Sequence, residues 1–190
     1  MRFKKGNFIS HANRGMSLEY DLNITNNYYL DNNIACIHKK PTPIQVVRVN
    51  YTSKKKAIIN EAFFKTPSTT DYNGIYNGKY IDFEAKETNL EYFPLSNILE
   101  HQIKHLETIY NMGGISFIIV RFCKHENITF LLETKYILSF INNNSRKSIP
   151  YLYFLENGYE ITFKNNLFLD YIGVINKFEK EKLWIRRLRN

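Results

Sequence analysis

The chain has 190 residues, of which 44% are hydrophobic and 15% aromatic. This supply of apolar side chains suffices for a buried core and excludes a wholly disordered protein. The length suits one domain better than two, so we expect residues 1–190 to form a single domain. The net charge of +8 favours a polyanionic partner, either nucleic acid or anionic lipid, with a solvated basic surface as the alternative.

Positive charge is concentrated in three segments. Residues 1–14 are basic and lack acids, and residues 1–12 are expected to form a flexible basic arm. The stretch 38–60 has six basic residues and no acid, and a basic tail covers about 177–190. Clusters of this kind are typical of surfaces that bind nucleic acid and release counterions.

The cysteine content and the hydropathy pattern indicate a compartment. Cys36 and Cys123 each lie in an apolar segment, so we expect buried thiols in a reducing environment. No run of about 18 apolar residues is available to span a membrane, and the N-terminus lacks the apolar stretch of a signal peptide. We therefore expect a cytoplasmic protein with no membrane partner.

The first predicted elements are a helix, a short strand and a basic hairpin. The helix covers residues 17–30 with Glu19 near its start, and the strand covers residues 34–40 and ends at Pro41. Residues 45–51 and 57–64 alternate as strands that can pair antiparallel around a lysine-rich turn. The pattern predicts a basic stalk over about 42–66.

A tight hairpin is predicted next, within residues 69–88. Asn77 and Gly78 favour a two-residue turn because both tolerate the positive φ of type I′. This register places Asp71 opposite Glu84, and it places Thr69 opposite Lys86. Side chains alternate along a strand, so the second strand presents one set to the core (Ile81, Phe83, Ala85) and the other set away from it (Asp82, Glu84, Lys86).

The second half of the chain predicts helices and strands that complete a mixed sheet. Ser96 can cap a helix over residues 96–112, and Gly113 can end it. Two strands follow, at Ile115–Phe122 and 128–132, and a helix covers residues 134–141. The polar loop 142–147 ends in Arg146-Lys147, which either contacts phosphate or is simply solvated. We expect a central mixed sheet flanked by helices, with residues 79–87 as an internal strand.

Asp71, Glu84 and Lys86 are the candidate reactive residues. Directly opposed Cβ atoms lie about 4.5–5.5 Å apart, and two carboxylates at that distance repel unless a cation neutralises them. Hard oxygen ligands suit Mg²⁺ or Mn²⁺ better than Zn²⁺, and an adjacent ammonium can stabilise charge on a phosphate. The alternative is a surface hairpin on which Lys86 merely forms a salt bridge.

Other candidates are weaker. His101 and His105 are four residues apart on the predicted helix, but no third soft ligand accompanies them, so a structural or DNA-facing role is favoured over zinc. Tyr72 and Tyr76 have the chemistry to stack on bases, while packing in the core is the favoured interpretation.

Several strings of the chain resemble the RecU family of Holliday-junction resolvases. Asp71 followed by Glu84-Ala-Lys86 is similar to the PD-(D/E)xK nuclease signature, which alone is weak. The strings that resemble RecU follow the family order: Asn13-Arg-Gly-Met-Ser-Leu-Glu19, His38-Lys-Lys-Pro-Thr-Pro43, Ser68-Thr-Thr-Asp-Tyr-Asn-Gly74, Tyr80-Ile-Asp-Phe-Glu-Ala-Lys-Glu-Thr88, Phe93-Pro-Leu95 and His101-Gln102.

The resemblance implies a restriction-endonuclease-like α/β fold from which the basic stalk protrudes. It also implies a Mg²⁺-dependent endonuclease, with Mn²⁺ able to substitute, that resolves four-way junctions by paired symmetric nicks in homologous recombination and DNA repair. The implied assembly is a homodimer with one site per subunit and the stalk in the junction centre.

Residue roles follow from the same resemblance. Metal contacts are implied for Thr69, Asp71, Glu84 and Gln102. Catalytic roles are implied for Asp71, Glu84, Glu19 and Lys86, with Lys86 as transition-state stabiliser. The basic segments supply the predicted DNA contacts: Arg14, Lys39, Lys40, Arg48, Lys54, Lys55, Lys56, Arg146 and Lys147.

Two functional alternatives remain at this point, namely a non-catalytic protein that binds branched DNA and a PD-(D/E)xK nuclease with another DNA target. Two features also depart from the family pattern. Thr70 stands where the signature has proline, and the tail from about residue 177 has no counterpart. Hairpin parity and the family pattern favour Thr69 over Thr70 as the metal contact.

Overall fold

The computed structural model describes residues 17–53, 56–65, 69–162 and 169–188. The predicted arm over residues 1–12 lies outside the described residues, as do Arg14, Lys54 and Lys55, and Lys56 is described only in its backbone. The helices are α1 (Leu18–Asp31), α2 (Glu100–Asn111), α3 (Thr134–Asn143), α4 (Tyr151–Asn157) and α5 (Tyr171–Leu188). The strands are β1 (Cys36–Lys39), β2 (Ile44–Ser53), β3 (Lys56–Phe64), β4 (Tyr72–Tyr76), β5 (Lys79–Thr88), β6 (Tyr92–Pro94), β7 (Ile115–Phe122), β8 (Ile128–Glu133), β9 (Ser148–Pro150) and β10 (Tyr159–Glu160).

Six strands form a mixed central sheet in the order β1-β4-β5-β7-β8-β10. β5 and β7 run parallel, and the other neighbours in the sheet are antiparallel. The predicted mixed α/β architecture is confirmed, as is the internal position of the strand that carries Glu84. A strand with neighbours on both sides has its backbone groups paired along its length, so it is a rigid support for side chains.

Helices cover both faces of this sheet. On one face, α1 and α5 pack against a core that includes Phe83 and Phe117. On the other face, α2, α3 and α4 enclose a second core around Ile118 and Val120. Because side chains alternate along β5, its acidic set faces this second layer. Asp82 and Glu84 are both fully buried, so the interpretation of an exposed surface hairpin is wrong.

The β4–β5 hairpin has the predicted turn. Asn77 has φ 48° and Gly78 has φ 73°, as a type I′ turn requires. The register is also as predicted, with Asn73 opposite Asp82. Regular pairing begins only at Tyr72, so the expected ladder positions of Thr69 and Asp71 are not formed. Both residues lie in the loop before β4, where the chain enters the central sheet.

The stalk is a two-stranded antiparallel sheet made of β2 and β3, which confirms the predicted pairing. The N–H of Lys65 donates to the C=O of Pro43 over 2.9 Å and closes its base. The register shifts between β2 and β3 mark irregular pairing. Large apolar side chains are exposed along it, among them Tyr51 and Phe64 at 77% and 82%.

The start of α2 differs from the prediction. Ser96 lies inside a short 3₁₀ turn, Leu95–Asn97, and α2 begins at Glu100. Two backbone groups account for the shift. The N–H of Ile98 donates to the C=O of Leu95, and the N–H of Leu99 donates to Gln102 Oε1. The side chain that caps this helix is therefore Gln102.

Two further features were not predicted correctly. Cys36 and Cys123 are free thiols, and both are partly exposed where buried thiols were expected. The aromatic-rich C-terminal region contains α5, an 18-residue helix that buries Tyr171 and Phe178 against the first core. Among the described helices, none combines the length and apolarity needed to cross a bilayer.

Candidate active site

Asp71, Glu84 and Lys86 converge beside the open end of the β4–β5 hairpin. Lys86 Nζ lies 2.5 Å from Glu84 Oε1 and 3.9 Å from Asp71 Oδ2. The backbone N–H of Asp71 donates to Glu84 Oε2 over 3.1 Å, which joins the loop before β4 to the internal strand. We refer to these three residues as the carboxylate site.

The three side chains of the carboxylate site differ in exposure. Glu84 is fully buried, whereas Asp71 and Lys86 are 37% and 30% exposed. Burial raises the pKa of Glu84 to about 7; the ammonium of Lys86 opposes this effect and the charge of Asp71 adds to it. The free protein therefore holds one carboxyl group that is difficult to ionise beside one that faces the solvent.

The donor set fits a hard divalent cation. In the described part of the chain, Glu84 Oε1 is a buried oxygen that accepts no well-aligned hydrogen bond, although Lys86 Nζ is near. A cation would satisfy this oxygen and offset the repulsion between Glu84 and Asp71. The described ranges contain no group of three or more His, Cys, Asp or Glu side chains arranged for a metal. Two carboxylates are enough for Mg²⁺, because this ion usually keeps several waters and binds phosphate oxygens of the substrate. It does not need a site in which the protein supplies every ligand.

A cleft of about 240 Å³ opens beside Asp71 and Lys86. Its lining includes Glu19 from α1, whose Oε1 lies 2.5 Å from Lys39 Nζ. Tyr72 also borders the cleft; burial raises the pKa of its hydroxyl, and the charges of Glu19, Asp71 and Glu84 raise it further. The predicted acidic residue of α1 thus lies in the same cleft as two members of the carboxylate site.

Helix α1 is fixed relative to the sheet by charged groups that the sequence analysis missed. Glu87 Oε1 accepts the backbone N–H of Leu18 over 2.8 Å, a favourable place for a carboxylate at a helix N-terminus. Asp21 Oδ2 accepts from Arg121 Nη2 over 2.5 Å. Because Glu19 lies between Leu18 and Asp21, these contacts set the position of its backbone. The partners are 69 and 100 residues apart in sequence, so no local pattern indicates them.

Thr69 and Gln102, the other predicted metal contacts, form no hydrogen bond or ion pair with the carboxylate site among the described residues. Gln102 is buried in the first turn of α2, and its Oε1 already accepts the N–H of Leu99 over 2.9 Å. Thr69 is half-buried in the loop before β4. The Thr70 hydroxyl donates to Asp82 and accepts from Lys40, so Thr69 remains our choice for the metal contact.

The candidate stacking and soft-ligand residues have structural contacts. Tyr72 is buried and stacks on Phe83 with ring centroids 4.8 Å apart, which agrees with packing. The hydroxyl of Tyr76 donates to Asn176 over 2.7 Å. His105 Nε2 lies 3.1 Å from Asp82 Oδ2, which agrees with the structural role favoured over zinc.

The described basic residues predicted to contact DNA fall into two groups. Arg48, Arg146 and Lys147 are exposed, the first on the stalk and the others in the loop after α3. Lys39 pairs with Glu19 at the cleft, and the side chain of Lys40 is only 19% exposed, with its ammonium bound to Asp82. The exposed group is available to phosphates, whereas Lys40 in this arrangement serves the protein interior.

Comparisons with known proteins identify the family of this chain. Residues 13–177 match the family described as RecU, Recombination protein U. A protein of Oceanobacillus iheyensis named Holliday junction resolvase RecU is 51% identical over 87% of this chain and 86% of its own length. A protein of the same name from Bacillus cytotoxicus is 48% identical over 88% of this chain and 85% of its own length.

One solved structure also shares part of the architecture. Archaeoglobus fulgidus Hjc, described as a Holliday junction resolvase, covers 73% of this chain and 94% of its own, with 8% identity and a TM-score of 0.44. A likeness at that level carries no argument. The family is shown by the match over residues 13–177 and by the two relatives, because these similarities extend across the cleft, the carboxylate site and the central sheet. The chain belongs to the RecU family.

Proposed function

We propose that this chain is a metal-dependent endonuclease that resolves four-way DNA junctions in recombination and repair. The observation that carries the proposal is the carboxylate site, in which Asp71 and Glu84 meet beside Lys86 at the edge of an open cleft. Relatives about half identical over most of the chain are named for this activity. We expect the 190 residues to act as one nuclease domain.

Asp71 and Glu84 are the proposed anionic ligands, with Thr69 and Gln102 as further contacts. Magnesium, or manganese in its place, would supply a Lewis acid that polarises the phosphate and activates water. Glu84 is held on an internal strand, and its carboxylate is also fixed by the N–H of Asp71. This preorganisation means that little rearrangement is needed when substrate arrives.

Lys86 and Glu19 act beside the ligands. The Lys86 ammonium lies against both carboxylates in the free protein. With a cation held by Asp71 and Glu84, this ammonium would be available to stabilise charge on the scissile phosphate. Glu19 lines the same cleft and is 55% exposed. It contributes a further acidic group close to the DNA backbone and to Lys39.

The stalk and the exposed basic residues position the junction. Arg48 lies on the β2–β3 hairpin, and Arg146 and Lys147 lie on a separate loop. We propose that Lys54, Lys55 and Lys56 add positive charge to the same hairpin. Phosphate contacts fix orientation without reading sequence, which suits an enzyme selective for branched structure. We propose a homodimer, since two sites are needed to make paired symmetric nicks.

The rival proposal is a catalytically silent protein that binds branched DNA. An intact carboxylate site argues against it, because a silent protein gains nothing from placing a second carboxylate beside a buried one at a cleft. The proposal of another DNA target is disfavoured by the names of the close relatives.

The test is a nicking assay on a four-way junction and a linear duplex, with and without Mg²⁺. We expect metal-dependent cutting of the junction, which Asp71→Asn abolishes. Glu156→Gln is the matched control, because Glu156 is an exposed acid on α4, and it should cut like the wild type. Junction binding without cutting by the wild type at any metal concentration would contradict the proposal.

A further inference from the structure

A second buried carboxylate lies two residues before Glu84 on the same side of β5. Asp82 is fully buried and is bound by four side chains, which we call the Asp82 cluster. Its Oδ2 lies 2.8 Å from Lys40 Nζ, 2.9 Å from the Tyr80 hydroxyl and 3.1 Å from His105 Nε2. Its Oδ1 accepts from the Thr70 hydroxyl.

The members of the Asp82 cluster come from both sides of the stalk. Lys40 directly follows β1 and precedes the stalk, whereas Thr70 lies in the loop after the stalk and directly precedes Asp71. Lys40 Nζ also donates to the Thr70 hydroxyl over 3.0 Å. The cluster thus fastens both chain segments at the base of the stalk to the internal strand, and His105 extends the contact to α2.

The cluster is also connected to the carboxylate site through the backbone. The N–H of Lys40 donates to the C=O of Asp71 over 2.7 Å, and the N–H of Asp71 donates to Glu84 Oε2. Asp71 itself lies outside the β4 ladder, so sheet pairing alone does not fix its position. Among the described residues, the hydrogen bonds that hold the Thr70-Asp71 segment involve Asp82, Lys40 and Glu84, and Lys86 adds an ion pair to Asp71 over 3.9 Å.

Asp82 is unsuited to bind a cation itself. Both of its oxygens are occupied by donors, and the ammonium of Lys40 already balances its charge. A buried carboxylate that is fully hydrogen-bonded rigidifies the groups around it, because each broken hydrogen bond leaves a costly unpaired group.

We propose that Asp82 is a positioning residue: through Thr70 and Lys40 it holds Asp71 in the place where it can share a cation with Glu84. The inference rests on the proposed function. If the loop holds Asp71 in the position that binds the cation for only a fraction of the time, the apparent dissociation constant rises, because it equals the intrinsic constant divided by that fraction. A saturating concentration of the cation returns the loop fully to the binding position. Loosening the cluster should therefore raise the Mg²⁺ requirement without lowering the rate at saturating Mg²⁺.

The test compares Thr70→Val with Thr70→Ser. Valine keeps the shape of this buried residue but loses the hydroxyl, whereas serine keeps the hydroxyl. For Thr70→Val we expect the Mg²⁺ concentration for half-maximal junction nicking, and the calorimetric Mg²⁺ dissociation constant, to rise roughly tenfold, the effect of removing one hydrogen bond to a charged group. Thr70→Ser should stay within about twofold of the wild type.

Two outcomes would overturn the inference. One is a Thr70→Val protein with a lowered melting temperature but unchanged Mg²⁺ dependence, which would mean that the cluster only stabilises the fold. The other is a Thr70→Val rate that stays low at saturating Mg²⁺, which would mean an effect on the chemistry rather than on position. Metal-independent behaviour of the wild type would instead count against the proposed function, so the two failures are distinguishable.

Lys40→Met gives an independent check, because methionine keeps much of the apolar stem and removes the ammonium. We expect a raised Mg²⁺ requirement with unchanged junction binding in the absence of metal. If Lys40 were instead bound to a DNA phosphate, metal-free junction binding would weaken and the salt dependence would fall by about one unit of slope. That result would contradict its place in the Asp82 cluster.

Discussion

The carboxylate site and the Asp82 cluster lie two residues apart on one side of β5, yet they have opposite chemistry. Asp82 is buried with donors at both oxygens. Glu84 is equally buried, but one of its oxygens lacks a well-aligned donor within the described residues, and burial raises its pKa to about 7. The comparison teaches that burial alone does not mark a metal ligand. Glu84, the proposed ligand, differs from Asp82 in that, among the described residues, its Oε1 faces only the ammonium of Lys86, at 2.5 Å.

The largest expected effect is on the rate of junction nicking and comes from a change in the carboxylate site. Glu84→Gln removes a charged ligand while keeping the shape of the side chain, so we expect junction nicking to fall to background. Junction binding at low Mg²⁺ should hold or improve, because the substitution removes a negative charge near the DNA. Nicking and gel-shift assays on the same preparation check both statements, and a loss of binding together with cutting would contradict them.

The next effect is on stability and should differ between the two carboxylates. Asp82→Asn leaves the mostly buried ammonium of Lys40 without its counter-ion, so we expect a loss of about 3 kcal/mol or more in the free energy of unfolding. Glu84→Gln should cost nothing in the metal-free protein, since it relieves repulsion with Asp71. Urea unfolding in the presence of a chelator gives both values. Equal destabilisation by the two changes would remove the distinction between the sites.

The pH dependence of stability sharpens the same comparison. The pKa of Glu84 is raised from 4.5 to about 7 on folding, so the folded state holds its proton more tightly than the unfolded state. The stability contributed by this proton is present below about pH 4.5 and is lost as the pH rises through about 7. Relative to the metal-free wild type, the stability advantage of Glu84→Gln should therefore grow as the pH rises from about 4.5 to about 7 and stay level above that. Parallel stability curves for the two proteins would refute the cause assigned to the shift.

The smallest expected effect is on junction binding and comes from changes in the stalk. Replacing Lys54, Lys55 and Lys56 with alanine should weaken junction binding and reduce the slope of its salt dependence by up to about three units, one for each lysine that neutralises a phosphate. The fold should persist, because the strands that flank these lysines, β2 and β3, form a two-stranded sheet of their own outside the central sheet. A control with the same change of charge replaces Lys104, Lys124 and Lys177, exposed lysines outside the stalk. An equal change of slope in the control would mean that net charge, and not the stalk, determines binding.

Local patterns predicted those parts of the molecule that depend on neighbouring residues. The turn at Asn77-Gly78 follows from the φ preference of two residues, and the alternation along β5 follows from strand geometry. The pairing of β2 with β3 is equally local. Helices on the faces of the sheet were predicted, but not which helices would cover the acidic side of β5, so the sequence did not indicate that Glu84 is buried and that its pKa is raised.

The contacts that were missed join residues far apart in sequence. The link between Asp82 and Lys40 spans 42 residues and that between Arg121 and Asp21 spans 100. Such contacts depend on the completed sheet. The capping of α2 by Gln102 was missed for a different reason: Ser96 is a good cap by type, but the 3₁₀ turn places it before the helix.

The most direct test of the account separates the ligand carboxylates from the lysine beside them. Calorimetric Mg²⁺ titration and junction nicking should be measured on wild type, Asp71→Asn and Lys86→Ala. We predict that Asp71→Asn loses both metal binding and cutting. Lys86→Ala should still bind Mg²⁺, because lysine is no ligand, while its nicking rate falls roughly a hundredfold or more, the typical cost of removing an electrostatic stabiliser. Robust cutting by Asp71→Asn, or abolished Mg²⁺ binding in a well-folded Lys86→Ala, would contradict the roles assigned here.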